Sequence, residues 1–197
     1  MNKTVEKLNE NGFRAMYFNT REAALEELYK NISEEDSVGL GGSMTLLDLG
    51  VYEGLVNRGN KVFWHWKAED KRGAIEKALN SNVYLTSSNA VTEDGKLVNK
   101  DGAGNRVASM IYGHEKVFVI VGKNKIVNDY KEAIERIENI AAPLNAKRLN
   151  LKTPCVKTGK CSDCSSKDRI CNVETIISRN PIGSEIYVYI INEELGY

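Results

Sequence analysis

Three things are scarce in this sequence: cysteine outside one short segment, histidine, and long hydrophobic runs. The longest apolar runs, such as VFVIVG at 117–122, have the length of a strand, so no segment is expected to cross a membrane. The first thirteen residues carry charges throughout and lack the apolar stretch of a secretory signal, so we expect a cytoplasmic protein. Only His65 and His114 occur, and their wide separation gives little support to a histidine-activated nucleophile or a histidine zinc hydrolase.

Charge of one sign is not in excess either, because the 197 residues include 27 basic and 27 acidic side chains. A balanced charge attracts neither nucleic acid nor an acidic membrane surface, so neither is an expected partner. The length suits one hydrophobic core, so we expect a single domain over 1–197 with a cysteine-rich insert at 153–173. The sequence leaves the oligomeric state open, including a homo-oligomer.

All four cysteines fall in one segment with the spacing C-x5-C-x2-C-x6-C, at Cys155, Cys161, Cys164 and Cys171. A C-x2-C pair lets two thiolates bind one metal or cluster from a tight turn, and the flanking cysteines complete the coordination. Four cysteine ligands suit an iron-sulfur cluster, which we favour, or zinc. Disulfides or unligated thiols are the remaining alternatives, and a reducing cytoplasm disfavours disulfides. The segment is also locally basic, which would offset the charge of an anionic centre.

Strand-length and helix-length hydrophobic patterns alternate along the rest of the chain. The patterns predict six strands, at 15–18, 37–41, 61–66, 82–87, 116–122 and 185–192. Helices are predicted between them, at 4–11, 20–32, 69–80, 104–112 and 128–141. Thr20 is the expected N-cap of the second helix, and Pro143 marks the expected end of the last. Six strands separated by helices predict an α/β fold with an open, mostly parallel sheet and helices on both faces.

Ligands of such sheets bind beyond the carboxyl ends of the strands, which draws attention to the loop GLGGSMT at 39–45. Gly41 and Gly42 would let backbone N–H groups approach a phosphate or carboxylate, and Ser43 and Thr45 would add hydroxyl groups. The loop matches neither nucleotide-binding fingerprint, and glycines at a strand-helix junction are often only turn residues.

The densest polar segment, at 88–106, follows the fourth predicted strand. Its candidate ligand-binding residues are Asn89, Asn99, Asp101, Asn105 and Arg106. The alternative is a plain hairpin, because two Asp-Gly turn signals bracket KLVN. A plain hairpin does not account for the arginine at the start of the next helix, so we favour a small-anion site here.

A third loop, GKNKIV at 122–127, contains Lys123, Asn124 and Lys125. These residues would bind an anion, or they form an ordinary turn with solvated lysines. The histidines are expected to play no part in the chemistry. His65 lies between two tryptophans on a predicted strand, where it would pack on the sheet, and His114 lies in a Gly-His-Glu turn, where it would be exposed.

Four stretches carry a resemblance to a known family. They are VGLGGSMTLLDLG at 38–50, NAVTEDGKLVNKDGAGNRVASMIYG at 89–113, VGKNKIVNDYKEAIERIENIAAPLNAKRL at 121–149 and the terminal LGY. Together they resemble the LUD-domain family of lactate utilisation protein C-like proteins. The resemblance implies a fold like that of the sugar-phosphate isomerase and coenzyme A transferase superfamily. In that superfamily, GLGGSMT is similar to the loop that receives a phosphate or an acyl oxygen.

The same superfamily implies catalytic roles in TEDG at 92–95, which is similar to the segment around the nucleophilic glutamate of coenzyme A transferases. Glu93 is then the candidate nucleophile, since a carboxylate can attack a thioester if backbone N–H groups receive the oxyanion. An isomerase would instead use Glu93 or Asp94 as general base, with Lys100 stabilising the enediolate.

The family implies redox-linked organic-acid metabolism of the lactate type, in which its members occur with iron-sulfur partners. With the cysteine spacing, this favours a small anionic metabolite as ligand and an iron-sulfur cluster on the cysteines of this chain. One alternative is an acyl-transferase or sugar-phosphate isomerase that uses Glu93 and a structural zinc. Another is a non-catalytic subunit that docks on an iron-sulfur oxidoreductase. Many family members lack the cysteine cluster, so the role of this chain need not be that of its relatives.

Overall fold

A computed structural model describes all residues, 1–197. It contains ten strands: Arg14–Phe18 (β1), Ser37–Leu40 (β2), Lys61–Phe63 (β3), Val83–Thr86 (β4), Ala90–Thr92 (β5), Leu97–Asp101 (β6), Lys116–Gly122 (β7), Ile126–Val127 (β8), Val173–Ile177 (β9) and Glu185–Ile191 (β10). Its α-helices are Asn2–Glu10 (α1), Arg21–Asn31 (α2), Met44–Asp48 (α3), Val51–Asn57 (α4), Lys71–Leu79 (α5), Asn105–Ile111 (α6), Tyr130–Arg136 (α7), Ala142–Arg148 (α8) and Pro154–Thr158 (α9). A 3-10 turn, Lys123–Lys125, follows β7, and a π-helical turn, Ile137–Ala141, joins α7 to α8.

The main sheet contains six strands in the order β1-β10-β7-β4-β2-β3, and every neighbouring pair is parallel. These six strands are the ones that the hydrophobic patterns predict, so the prediction of an α/β fold with a mostly parallel sheet is confirmed. Thr20 caps α2 as predicted, accepting a hydrogen bond from the backbone N–H of Ala23.

Two hydrophobic cores cover the two faces of this sheet, because side chains alternate along each strand. Phe118 and Ile120 of β7 pack with α2, α3 and α4 on one face. Val117, Val119 and Val121 of the same strand pack with α1, α5 and α6 on the other face. Helices therefore lie on both faces of the sheet, as predicted.

A second sheet, of four short strands in the order β8-β5-β6-β9, was not predicted. Its central pair, β5 and β6, is the antiparallel hairpin weighed above as the alternative to a ligand site, and β9 adds to it with Asp101 opposite Val173. Val91, Leu97 and Ile177 pack into the same core as Val117 of the main sheet. The two sheets therefore share one core.

The prediction that a helix ends before Pro143 is wrong. The helix continues from Tyr130 to Arg148, because the π-helical turn shifts the hydrogen-bond register just ahead of the proline. Pro143 then lies in the first turn of α8, the position at which a helix tolerates proline.

Both histidine predictions also need correction. The strand β3 ends at Phe63, so His65 lies in the turn that follows the sheet, and the indoles of Trp64 and Trp66 stack at 5.2 Å. His114 is buried rather than exposed: its ring stacks on Tyr84 at 4.9 Å and its Nδ1 lies 2.8 Å from the carbonyl oxygen of Ser81. Burial lowers the pKa of His114.

None of the helices combines the length and the hydrophobicity that a membrane span requires.

The packing of α5 on β2 yields a stability prediction. A Cβ added at Gly39 would lie 2.6 Å from the carbonyl oxygen of Ala78 and 2.9 Å from its Cα. Both are backbone atoms, so Gly39→Ala should push α5 off the sheet and lower the free energy of unfolding by about 1–3 kcal/mol. Gly102→Ala is the matched control, since its added Cβ would meet no atom nearer than 3.4 Å. Urea denaturation measures both, and equal stability of the two variants would contradict the prediction.

Candidate functional site

A cavity of about 280 Å³ lies at the carboxyl ends of the main-sheet strands. Gly42 and Ser43 follow β2, His65 and Trp66 follow β3, and Ser87 to Asn89 follow β4. The chain after β7 contributes Lys125, and the chain after β10 contributes Tyr197. The cavity thus lies where the rule for open parallel sheets puts a ligand site.

The glycine loop at 39–45 forms part of the cavity wall, but its residues have different roles. Gly42 and Ser43 line the cavity, whereas the backbone groups of Gly41 are already used: its N–H donates to Leu85 and its carbonyl accepts from Trp64. Ser43 also caps α3, and an added Cβ at Gly42 would lie 3.2 Å from the indole nitrogen of Trp66. Gly42 is therefore the glycine whose missing side chain keeps this wall open.

Lys125 occupies the inner end of the cavity, the end formed with Thr45 and Ser87. Its Nζ donates to Thr45 Oγ1 at 2.9 Å and to Ser87 Oγ at 3.0 Å, and it forms no ion pair with any carboxylate. Lys125 is only 4% exposed. Burial, reinforced by Arg136 and Arg106, lowers its pKa to about 7. A buried ammonium is costly without a counter-ion, and a bound anion would lower that cost. Lys125 is therefore the strongest indication of an anion site in this cavity.

Arg106 holds the polar loops beside Lys125 together. Its guanidinium donates to the Asn99 side chain at 2.7 Å, to the carbonyl oxygens of Ser87 and Lys100 at 2.9 and 3.0 Å, and to the Asn89 side chain at 3.2 Å. Asn89 and Arg106 line the cavity, as does Asn105, while Asn99 lies fully buried behind them. The predicted polar residues of 88–106 do converge. Most N–H groups of the Arg106 guanidinium already bond to these loops, so few are left for a ligand.

Lys100 and Asp101 also line the cavity, and each has a charged partner. Lys100 lies 2.9 Å from Glu138 and 3.5 Å from Glu174, and Asp101 lies 3.6 Å from Arg106. Burial opposes the charged form of Lys100, but the two glutamates outweigh it and hold its pKa above the ordinary value. Lys100 is therefore a fixed cation in the wall.

The outer end of the cavity is formed by Trp66, Asn145, Arg148 and Tyr197. Arg148 lies over the ring of Trp66 at 4.5 Å, and its Nε donates to Tyr197 Oη at 2.9 Å. Asn145 accepts from Arg148 Nη2 at 2.8 Å. Arg148 is exposed to solvent and, like Lys125, has no carboxylate partner.

The predicted catalytic carboxylates lie elsewhere. Glu93 and Asp94 form the turn between β5 and β6, and neither lines the cavity. Glu93 pairs with Lys3 of α1 at 2.9 Å, and this hydrogen bond lowers its pKa. Asp94 bonds to Thr92 and pairs with Lys96 at 2.6 Å. The geometry gives these carboxylates a part in holding the hairpin, and it separates them from the cavity that holds Lys100.

The four cysteines are free and half-buried, and no three of them form a metal-binding group with one another or with neighbouring acids and histidines. Burial raises the pKa of Cys171, Arg169 opposes this effect, and the thiols of Cys161 and Cys164 raise the pKa further. Cys155 lies in α9. The thiol chemistry suits a metal, but this arrangement does not gather the ligands.

Of the four, Cys171 lines the cavity. Its segment is fixed to the cavity wall at two points: the N–H of Asn172 donates to the carbonyl oxygen of Asp101, and the N–H of Cys161 donates to that of Glu138, both at 2.9 Å. The anion site and the cysteine segment are therefore neighbours in the fold.

Sequence reasoning missed the wall formed by the continuous helix from α7 to α8. This wall consists of Ile137, Ala141, Ala142 and Asn145. The π-helical turn places them there, and it cannot be read from a pattern that assumes a regular helical period. The sequence indicates only that Lys125 belongs to a lysine-rich turn. Its burial depends on contacts with Thr45 and Ser87, which are distant in the chain.

The fold and the site define a class: an α/β protein with a cationic cavity at the carboxyl edge of an open parallel sheet. The profile of the LUD domain family matches residues 1–191, so the chain belongs to that family. A crystal structure of a DUF162 family protein from Deinococcus radiodurans is similar, with a TM-score of 0.54 at 11% identity, over 96% of this chain and 94% of that one. That likeness concerns the fold alone. No curated protein matches the sequence.

The lowered pKa of Lys125 predicts how stability depends on pH. Between pH 7 and 10.5 the unfolded chain keeps a proton on this lysine that the folded chain lacks, so ligand-free stability should rise with pH. Relative to Lys125→Met, the rise should be at most about 1.4 kcal/mol per pH unit, and the difference should be constant below pH 7. Chemical denaturation from pH 6 to 10 measures it, with the exposed Lys123→Met as control. A flat difference between Lys125→Met and wild type would contradict it.

Proposed function

We propose that this LUD-domain protein binds a small organic anion in redox-linked organic-acid metabolism of the lactate type. The observation that carries the proposal is that one cavity is lined both by Lys125, a buried cation without a counter-ion, and by Cys171 of the cysteine segment. The family membership supports the metabolic context.

In this proposal the anion binds at the inner end of the cavity. Lys125 has two of its three N–H groups on Thr45 and Ser87, so the third is available to a carboxylate. The bound carboxylate supplies the missing negative charge and raises the pKa of Lys125, which keeps the lysine protonated in the complex. Lys100 and Arg106 line the wall as well, where their carboxylate partners keep them in place and leave Lys125 as the cation available to the ligand.

The cysteines are proposed to hold an iron-sulfur cluster, with zinc as the alternative. The support is the donor set: four free, half-buried thiols in one short segment. Metal binding would require the thiols to approach one another, because the present arrangement forms no metal-binding group. Binding of this chain to an iron-sulfur oxidoreductase subunit stays a prediction.

Acyl transfer or isomerisation by Glu93 has less support than anion binding. A nucleophile or general base must reach the ligand, and Glu93 lies outside the cavity, paired with Lys3. The superfamily-like fold is compatible with such chemistry, but fold alone does not assign it.

Anion binding is tested with Lys125→Met. Because a charged hydrogen bond at a buried site contributes roughly 1.5–3 kcal/mol, the variant should bind lactate or pyruvate about 10- to 100-fold more weakly than wild type. Lys123→Met, an exposed neighbour in the same turn, should bind as wild type does. Isothermal titration calorimetry at pH 6.5 measures the affinities, and wild-type affinity in Lys125→Met would refute the proposed site.

Cluster binding is tested by purification without oxygen, followed by a visible spectrum and assays of iron, sulfide and zinc. We expect stoichiometric iron and sulfide, and their loss in Cys164→Ser, because a cluster requires its thiolate ligands. Ser166→Ala in the same segment is the control. A colourless protein with stoichiometric zinc would overturn the iron-sulfur assignment in favour of structural zinc.

A further inference from the structure

We infer that the cavity takes an organic acid with a negative group at each end, rather than a monocarboxylate. The inference rests on the proposed anion site and extends it. Its basis is a pair of cations without carboxylate partners in the lining of one cavity: Lys125, which is buried, and Arg148, which is exposed to solvent.

Arg148 is held as a receptor for an anion. The ring of Trp66 supports the face of its guanidinium, and Asn145 and Tyr197 take up Nε and Nη2 along one edge. Nη1, on the remaining edge, has no partner and is free to donate. A planar guanidinium held by three side chains binds a carboxylate or phosphate with little further loss of side-chain freedom.

The other charges along the cavity do not compete for a second anionic group. Asp101 is the single acidic residue of the wall, and it faces Arg106 at 3.6 Å. Lys100 is neutralised by Glu138 and Glu174. Lys125 and Arg148 are thus the two cations left for a ligand.

The size of the cavity agrees with a longer ligand. A volume of about 280 Å³ corresponds to roughly nine water molecules at the density of the liquid. A three-carbon acid bound at Lys125 would leave much of that volume to water. The lining also includes the neutral groups of Gly42, Ser88 and Ala141, which suit an uncharged carbon chain.

A series of matched acids tests the inference. Malonate, succinate, glutarate and adipate are compared by calorimetry with the monocarboxylates of equal chain length: propionate, butyrate, valerate and hexanoate. In wild type, the dicarboxylate of best length should bind about tenfold more tightly than its matched monocarboxylate, through the second charged contact. Arg148→Met should remove that advantage by weakening the dicarboxylate more than its matched monocarboxylate, and a far-UV circular dichroism spectrum like that of wild type shows that the variant is folded. Lys147→Met, an exposed neighbour, is the control.

The outcomes separate this inference from the proposed function. Equal affinity for the two acids of every pair, with both weakened in Lys125→Met, would overturn the two-ended ligand and leave the anion site standing. A dicarboxylate advantage that persists in Arg148→Met would also overturn it, since the second contact would then lie elsewhere. Unchanged binding of all acids in Lys125→Met would overturn the anion site and the inference together.

Discussion

The hydrogen bonds of the Arg106 guanidinium are the interaction on which the candidate site depends. They join the carbonyl oxygen of Ser87, where β4 ends, to the Asn89 side chain and to Asn99 and Lys100 of β6. One buried side chain thereby fixes the second sheet against the carboxyl edge of the main sheet. A buried arginine is costly unless its donors are satisfied, so the loops around it have little freedom to move apart. The cavity lies beside the loop after β4 and strand β6, which Arg106 joins.

The same arrangement accounts for the state of Lys125. With Arg106 and Arg136 nearby, a third positive charge has unfavourable neighbours, which the carboxylate of Asp48 offsets only in part. The lysine is tolerated because it can lose its proton near neutral pH, and two hydroxyl groups satisfy the nitrogen in either state. An anion entering the cavity reverses this balance, so binding and protonation of Lys125 are linked: the ligand binds more tightly at a pH where the lysine is charged.

The sequence predicts the main sheet well because its central strands β4, β7 and β10 are mostly apolar and buried on both faces, which is typical of a parallel sheet. It predicts the second sheet poorly, because β5 and β8 are only 3 and 2 residues long and draw their stability from contacts distant in the chain. The residues of the site divide in the same way, into those that local sequence indicates and those that depend on distant contacts. Local polar density marks Asn89 and Arg106, whereas the burial of Lys125 and the separation of Glu93 depend on packing that no local pattern contains.

The cysteine segment and the cavity wall cannot move independently. Asn172 is bonded to the backbone of Asp101, β9 continues from that point in register with β6, and Lys100 lies between Glu138 and Glu174. Glu138 in turn holds the backbone of Cys161. Any rearrangement that draws the four thiols together must therefore act on the strand that carries Lys100 and Asp101, and hence on the loops tied to Arg106. A metal on the thiols and an anion in the cavity, if bound as proposed, would both act on the position of this one strand.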